Sequence, residues 1–152
     1  MKRFSLAALM AASAIALPVY SQPAQSAPQQ LGRWITESGN LEVEVAPCGN
    51  AFCGTVVRVI ANRSMSAPGA EMAPADARPA LGMMLLRDLR PGEGDGKGEW
   101  KGEIYNRENG KSYSAIVTAP AADQLVIRAY VGLPLLGKTQ VWRRAPPQAA
   151  AQ

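Results

Sequence analysis

Leu41-Glu42-Val43-Glu44-Val45 alternates apolar and acidic side chains with a period of two. In an extended chain successive side chains point to opposite faces, so this stretch sets three aliphatic groups against two carboxylates. That is the signature of a half-buried strand. Working outward from Leu41–Ala46, similar short runs occur at Arg33–Thr36, Gly54–Ile60, Met83–Leu89, Trp100–Tyr105, Ser112–Thr118, Gln124–Val131 and Thr139–Arg143. Asn109-Gly110 lies between two of these runs and suits the positive φ of a tight hairpin turn. Eight short antiparallel strands, with no helical window among them, predict an all-β fold, an up-and-down β-barrel that closes without free edges. Ala61–Pro79, rich in Ala, Met and Pro, departs from the pattern; its length predicts a lid or long surface loop with a helical turn near Ala75–Arg78.

The ends of the chain read differently from its middle. Met1-Lys2-Arg3 followed by the apolar run Phe4–Leu17 and by Val19-Tyr20-Ser21 has the form of an export signal over residues 1–21. Residues 22–30 and 146–152 are Pro, Ala and Gln segments with little to bury, a disordered linker and tail around a barrel domain over 31–145. Of 16 lysines and arginines, Lys2 and Arg3 leave with the signal, so 14 face 12 acidic residues and the mature charge is +2. That balance argues against a nucleic-acid partner. No other stretch approaches the roughly 18 apolar residues of a membrane span, so no transmembrane segment is expected in the mature chain. The periplasm is the expected location, with secretion beyond the cell as the alternative. Cys48 and Cys53 are the two thiols of the chain, and in an oxidising compartment they are expected to form a structural disulfide around a short loop.

Chemistry-bearing motifs are few. Gly132-Leu-Pro-Leu-Leu-Gly137-Lys138-Thr139 has the spacing of a phosphate-binding loop, but Pro134 removes a donor and Gln140-Val141-Trp142 reads as strand where a helix must begin. No nucleotide is expected there. The glycine run Gly92, Gly94, Gly96, Gly98 with its interleaved acids does not match a calcium loop and reads as a solvated turn. The chain has no histidine, which removes Ser–His–Asp and Cys–His catalysis and histidine-bearing metal centres. Glu42, Glu44 and Glu103 are expected as surface charges on the polar faces of strands. No catalytic residue, metal or cofactor is assigned.

Trp34, in Gly32-Arg33-Trp34, begins the first strand, and Trp142-Arg143-Arg144 ends the last. These strands are neighbours in a closed barrel, so Arg144 is expected to lie across Trp34 as a cation–π lid, with Arg143 on the opposite face. The pattern resembles the Gly-x-Trp start and late arginine of lipocalins and their barrel relatives, the calycins.

Further motifs extend this resemblance. Gly32-x-Trp34, Leu41-Glu-Val-Glu-Val-Ala-Pro-Cys48-Gly49, Cys53-Gly54, Leu81-Gly82, Trp100-x-Gly102-x-Ile104-Tyr105-Asn106, Gly110-Lys111-x-Tyr113 and Gly137-x-Thr139-Gln140-x-Trp142-x-Arg144 together look like the bacterial exported family called domain of unknown function 2147. The resemblance spans nearly the whole core and implies a small lipocalin-like barrel of the cell envelope, with no established reaction. The chain departs from the family pattern over Ala61–Pro79, where a more polar connection is expected, and at Ala129, where glycine is usual. A barrel mouth is a natural pocket. The expected function is therefore to bind a small apolar or lipid-like ligand, with Met83, Met84, Trp100, Tyr105, Tyr113, Tyr130, Leu133 and Leu135 as candidate contacts. The alternative is an envelope interaction or stress-related module whose barrel is filled by its own side chains.

Overall fold

The computed structural model describes residues 27–93 and 98–147. The expected export signal, most of the 22–30 linker, the middle of the glycine run and the last five residues of the tail lie outside the described residues. Eight strands follow one another along the chain: β1 (Gly32–Ile35), β2 (Leu41–Cys48), β3 (Ala51–Val59), β4 (Met84–Pro91), β5 (Trp100–Asn106), β6 (Lys111–Ala121), β7 (Gln124–Tyr130) and β8 (Lys138–Arg144). Each pairs antiparallel with the next, and β8 returns to β1 through Trp34 opposite Arg144 and Ile35 opposite Arg143. The result is a closed up-and-down barrel, as the alternating sequence predicts.

Side-chain alternation fills the interior. Trp34, Val43, Val45, Val56, Leu86, Leu89, Val117, Leu125, Ile127 and Trp142 are buried almost completely, most of them at alternate positions along their strands. Up-and-down order also sorts the connections. Segments 36–40, 60–83, 107–110 and 131–137 gather at one end, while 49–50, 92–93, 98–99, 122–123 and the described residues before β1 and after β8 gather at the other.

The turns refine the sequence reading. β2 and β3 run further than expected, so their connection shrinks to Gly49-Asn50, with Gly49 at φ 62° in the first central position that a two-residue II′ turn reserves for glycine. Cys48 pairs with Ala51 and Cys53 with Ala46 across this hairpin, and the two cysteines form a disulfide on its diagonal with a Cα–Cα distance of 5.8 Å. At the β5–β6 turn, positive φ is taken by Gly110 alone and not by Asn109, because the connection is four residues long. No helical turn forms over Ala75–Arg78. Asp76 there accepts from the backbone N–H of Arg78 and from its guanidinium, a local side-chain alternative that competes with helix. A short 3₁₀ turn occurs instead at Pro134–Leu136.

One carboxylate contradicts the surface assignment. Glu44 and Glu103 retain solvent contact, but Glu42 is 1% exposed. Arg58 Nε donates to its Oε2 at 2.6 Å, and Arg33 Nη1 lies 3.6 Å from its Oε1. The two arginines come from the strands that flank β2, and their long side chains close over the shorter acid. Alternation assigns Glu42 to the outer face but does not reveal that its neighbours cover it.

Candidate functional site at the open end of the barrel

The end that carries the chain termini is sealed. The Arg144 guanidinium carbon lies 3.8 Å from the centre of the Trp34 ring. The same group donates to the carbonyls of Leu31 at 2.6 Å, Gln29 at 2.9 Å and Ala122 at 2.9 Å. Trp34 Nε1 in turn donates to the Gln30 carbonyl at 2.9 Å. Burial lowers the Arg144 pKa from the ordinary guanidinium value. Gly32 has φ 107°, and a Cβ there would stand 2.7 Å from Arg144 Nη1, so the glycine of Gly-x-Trp makes room for the arginine. Trp100 belongs to this end too, stacked on Phe52 with ring centres 4.1 Å apart.

The opposite end is spanned by the strap 60–83, and polar groups at three places hold it down. Asn40, in the β1–β2 connection, accepts from Arg63 N at 2.9 Å and donates to Arg63 O at 2.7 Å. Glu108, on the β5–β6 turn, accepts from the hydroxyls of Ser64 and Ser66 and from Met65 N. On β5, the Tyr105 hydroxyl donates to Asp76 Oδ2 at 2.6 Å. Arg78 completes that anchor, pairing with Asp76 at 2.7 Å and lying 5.3 Å from the Tyr105 ring centre. The Arg78 guanidinium, and after it the Tyr105 hydroxyl, holds the Asp76 carboxyl well below the usual carboxylate range. Hydrogen bonds from Ser64 and then Ser66 lower the Glu108 pKa.

Beneath and beside the strap lies a cavity of about 600 Å³. That volume is within the range of small-molecule sites. Leu41, Leu85, Ile104, Met72 and Trp142 give it apolar walls, and Tyr113, Gln140, Lys138, Arg107 and Glu108 supply polar groups. Apolar walls with a few polar groups can take up an apolar body and orient its polar end.

Of the eight contacts expected from the sequence, Tyr105, Tyr113 and Tyr130 line this cavity. The other five do not meet there. Met83 is buried in the main core and Trp100 at the sealed end, while Met84, Leu133 and Leu135 are 37%, 64% and 83% exposed. Leu133 and Leu135 stay outside because Arg128 ties the backbone of their turn, donating to the carbonyls of Pro134 and Leu135. Lys138 and Thr139 of the phosphate-loop spacing begin β8, not a helix. Sequence reasoning missed Leu41, Leu85, Ile104, Trp142, Arg107 and Lys138 as lining residues. A signal existed for Lys138: it shares a strand face with Gln140 and the buried Trp142.

Comparison with known proteins agrees with this architecture. No curated protein matches the chain. Among solved structures it is similar to protein HP1028 from the human pathogen Helicobacter pylori, described as belonging to the lipocalin family, with 20% identity and a TM-score of 0.54 over 78% of this chain and 84% of that one. At that identity the likeness concerns the fold. Residues 32–144 match the family described as "Uncharacterized protein conserved in bacteria (DUF2147)", which takes in the barrel from the glycine under Arg144 to Arg144 itself, and the chain therefore belongs to that bacterial family.

Proposed function

We propose that this protein is a non-catalytic, exported binding barrel of the periplasm that holds a small apolar or lipid-like ligand at its open end. The cavity of about 600 Å³ under the strap carries the reading. The sealed half of the barrel is filled by side chains such as Trp34, Leu89 and Leu125, while the strapped half keeps apolar walls around open space. A lipocalin-like fold is consistent with small-ligand binding, and the signal-like start of the chain supports export. An environment-sensitive apolar probe should bind with micromolar or tighter affinity and be displaced by members of a fatty-acid and isoprenoid panel. Ligands that bind should also raise the melting temperature. Magnesium-ATP should do neither. A panel that neither displaces the probe nor shifts melting overturns the proposal.

A second reading, an envelope module acting through its surface, is favoured by one observation. Val131, Leu133, Leu135 and Leu136 are 64–83% exposed on one projecting turn, a cluster of apolar side chains that a docking surface would use. Loss of binding to isolated envelope material in a Leu133→Ser, Leu135→Ser variant, with ligand binding intact, would establish that role.

A further inference from the structure

The cavity holds more positive charge than its own protein groups use. Three charged side chains line it, Arg107, Lys138 and Glu108, which gives two cations against one carboxylate. Glu108 is engaged by Ser64, Ser66 and the Met65 amide of the strap. Among the described residues neither Arg107 nor Lys138 forms an ion pair. The Arg107 Nε is moreover buried and without a hydrogen-bond partner. A buried guanidinium donor left unpaired is costly, and the group that best relieves it is an oxyanion, which a guanidinium can meet with two parallel N–H donors. Lys138 lines the cavity from the exposed start of β8, on the same strand face as the buried Trp142.

From these groups we infer that the ligand is an amphiphile with an anionic head, a carboxylate or a phosphate, whose head meets Arg107 and Lys138 while its chain lies against Leu41, Ile104 and Trp142. The inference rests on the proposal that the cavity is a ligand site, and it adds the head-group chemistry. The alternative sources of negative charge are a fatty acid, a phosphorylated lipid and free inorganic phosphate.

Calorimetric titration of the mature protein with four amphiphiles, dodecanoate, dodecyl phosphate, dodecanol and dodecyltrimethylammonium, each below its aggregation concentration, and separately with inorganic phosphate, separates these cases. Both anions should bind at least about tenfold more tightly than dodecanol, and raising the salt should weaken the anions alone. Tighter binding of dodecyl phosphate than of dodecanoate marks a phosphate head, and the reverse order a carboxylate. Arg107→Gln should bring the anions close to the affinity the unaltered protein has for dodecanol and remove most of the salt dependence, and Arg107→Lys should restore part of both. Lys138→Met should weaken the anions by a smaller factor. The Arg107 Nε has no hydrogen-bond partner among the described residues, so its replacement should leave the melting temperature near that of the parent. Equal affinity for dodecanol and the anions overturns this inference and leaves the cavity proposal standing. No binding by any of the four overturns both. Inorganic phosphate binding as tightly as dodecyl phosphate overturns the amphiphile and leaves a simple anion site.

Discussion

At the sealed end, Arg144 joins the segment before β1, the end of β8 and the 122–123 turn with three donated hydrogen bonds, while its charge rests on Trp34. At the open end two of the three ties are carboxylates, Glu108 against two serines and Asp76 against Arg78 and Tyr105, beside the neutral Asn40. The first set contains no group that changes charge between acid and neutral pH. The second loses its carboxylate acceptors when these are protonated. The two ends of one barrel are thus tied by different chemistry, one insensitive to acid and one partly sensitive to it.

The largest test of this contrast is Trp34→Ala, which should cost about 3–5 kcal/mol in denaturant unfolding, because the ring is fully buried and the guanidinium above it loses its platform. A cost under about 1 kcal/mol would remove Trp34 from the core of the argument. Replacing both Cys48 and Cys53 by Ser should cost roughly 2 kcal/mol with the fold retained, as expected for so short a closed loop. Intact mass and thiol counting on exported protein check the pairing itself. Arg144→Ala should cost about 2 kcal/mol, since it removes the cation–π contact and three hydrogen bonds, whereas Arg143→Ala, exposed on the outer face, should stay within about 0.5 kcal/mol. Equal effects would break the seam assignment.

The smallest effect is local and belongs to the open end. The folded-state pKa of Glu108 is lowered from 4.5, so its hold on the strap is complete above that value and is lost as the pH falls through the lower, folded value. Asp76 is lowered from 3.8 and follows the same sign. Hydrogen exchange at the Met65 amide, which donates to Glu108, should therefore show falling protection on acidification below pH 4.5, the ordinary glutamate value, after correction for intrinsic rates, while β7 amides stay protected. Glu108→Gln should show weak Met65 protection at every pH. Parallel behaviour of the two ends would remove the distinction between them.

Much of the barrel is legible without coordinates. Leu41, Val43 and Val45 announce a strand by alternation, and repeating that reading seven more times leaves a meander with closure as its edge-free solution. Gly32-x-Trp34 and Arg144 mark the seam because a cation over a tryptophan needs both residues on adjacent strands. Alternation reports which face a side chain takes; it does not report height along the barrel axis. Trp100 and Ile104 share a face of β5, yet about 14 Å separates them at roughly 3.4 Å per residue, so one stacks on Phe52 at the sealed end and the other lines the cavity. The adjacent pair Met83 and Met84 divides between core and surface because successive side chains of an extended chain take opposite faces.

By itself, then, the sequence determined the number and order of the strands, the cysteine pair available for bridging and the residues of the seam, because each follows from local periodicity or from chemistry that neighbouring strands must share. The tertiary structure alone decided that Glu42 is covered by Arg33 and Arg58, that the strap is held by Asn40, Glu108 and Tyr105, and that Arg107 and Lys138 line one cavity with no ion-pair partner among the described residues. Those outcomes depend on register and on the path of a 24-residue connection, which bring together side chains far apart in sequence, and no local pattern encodes such meetings.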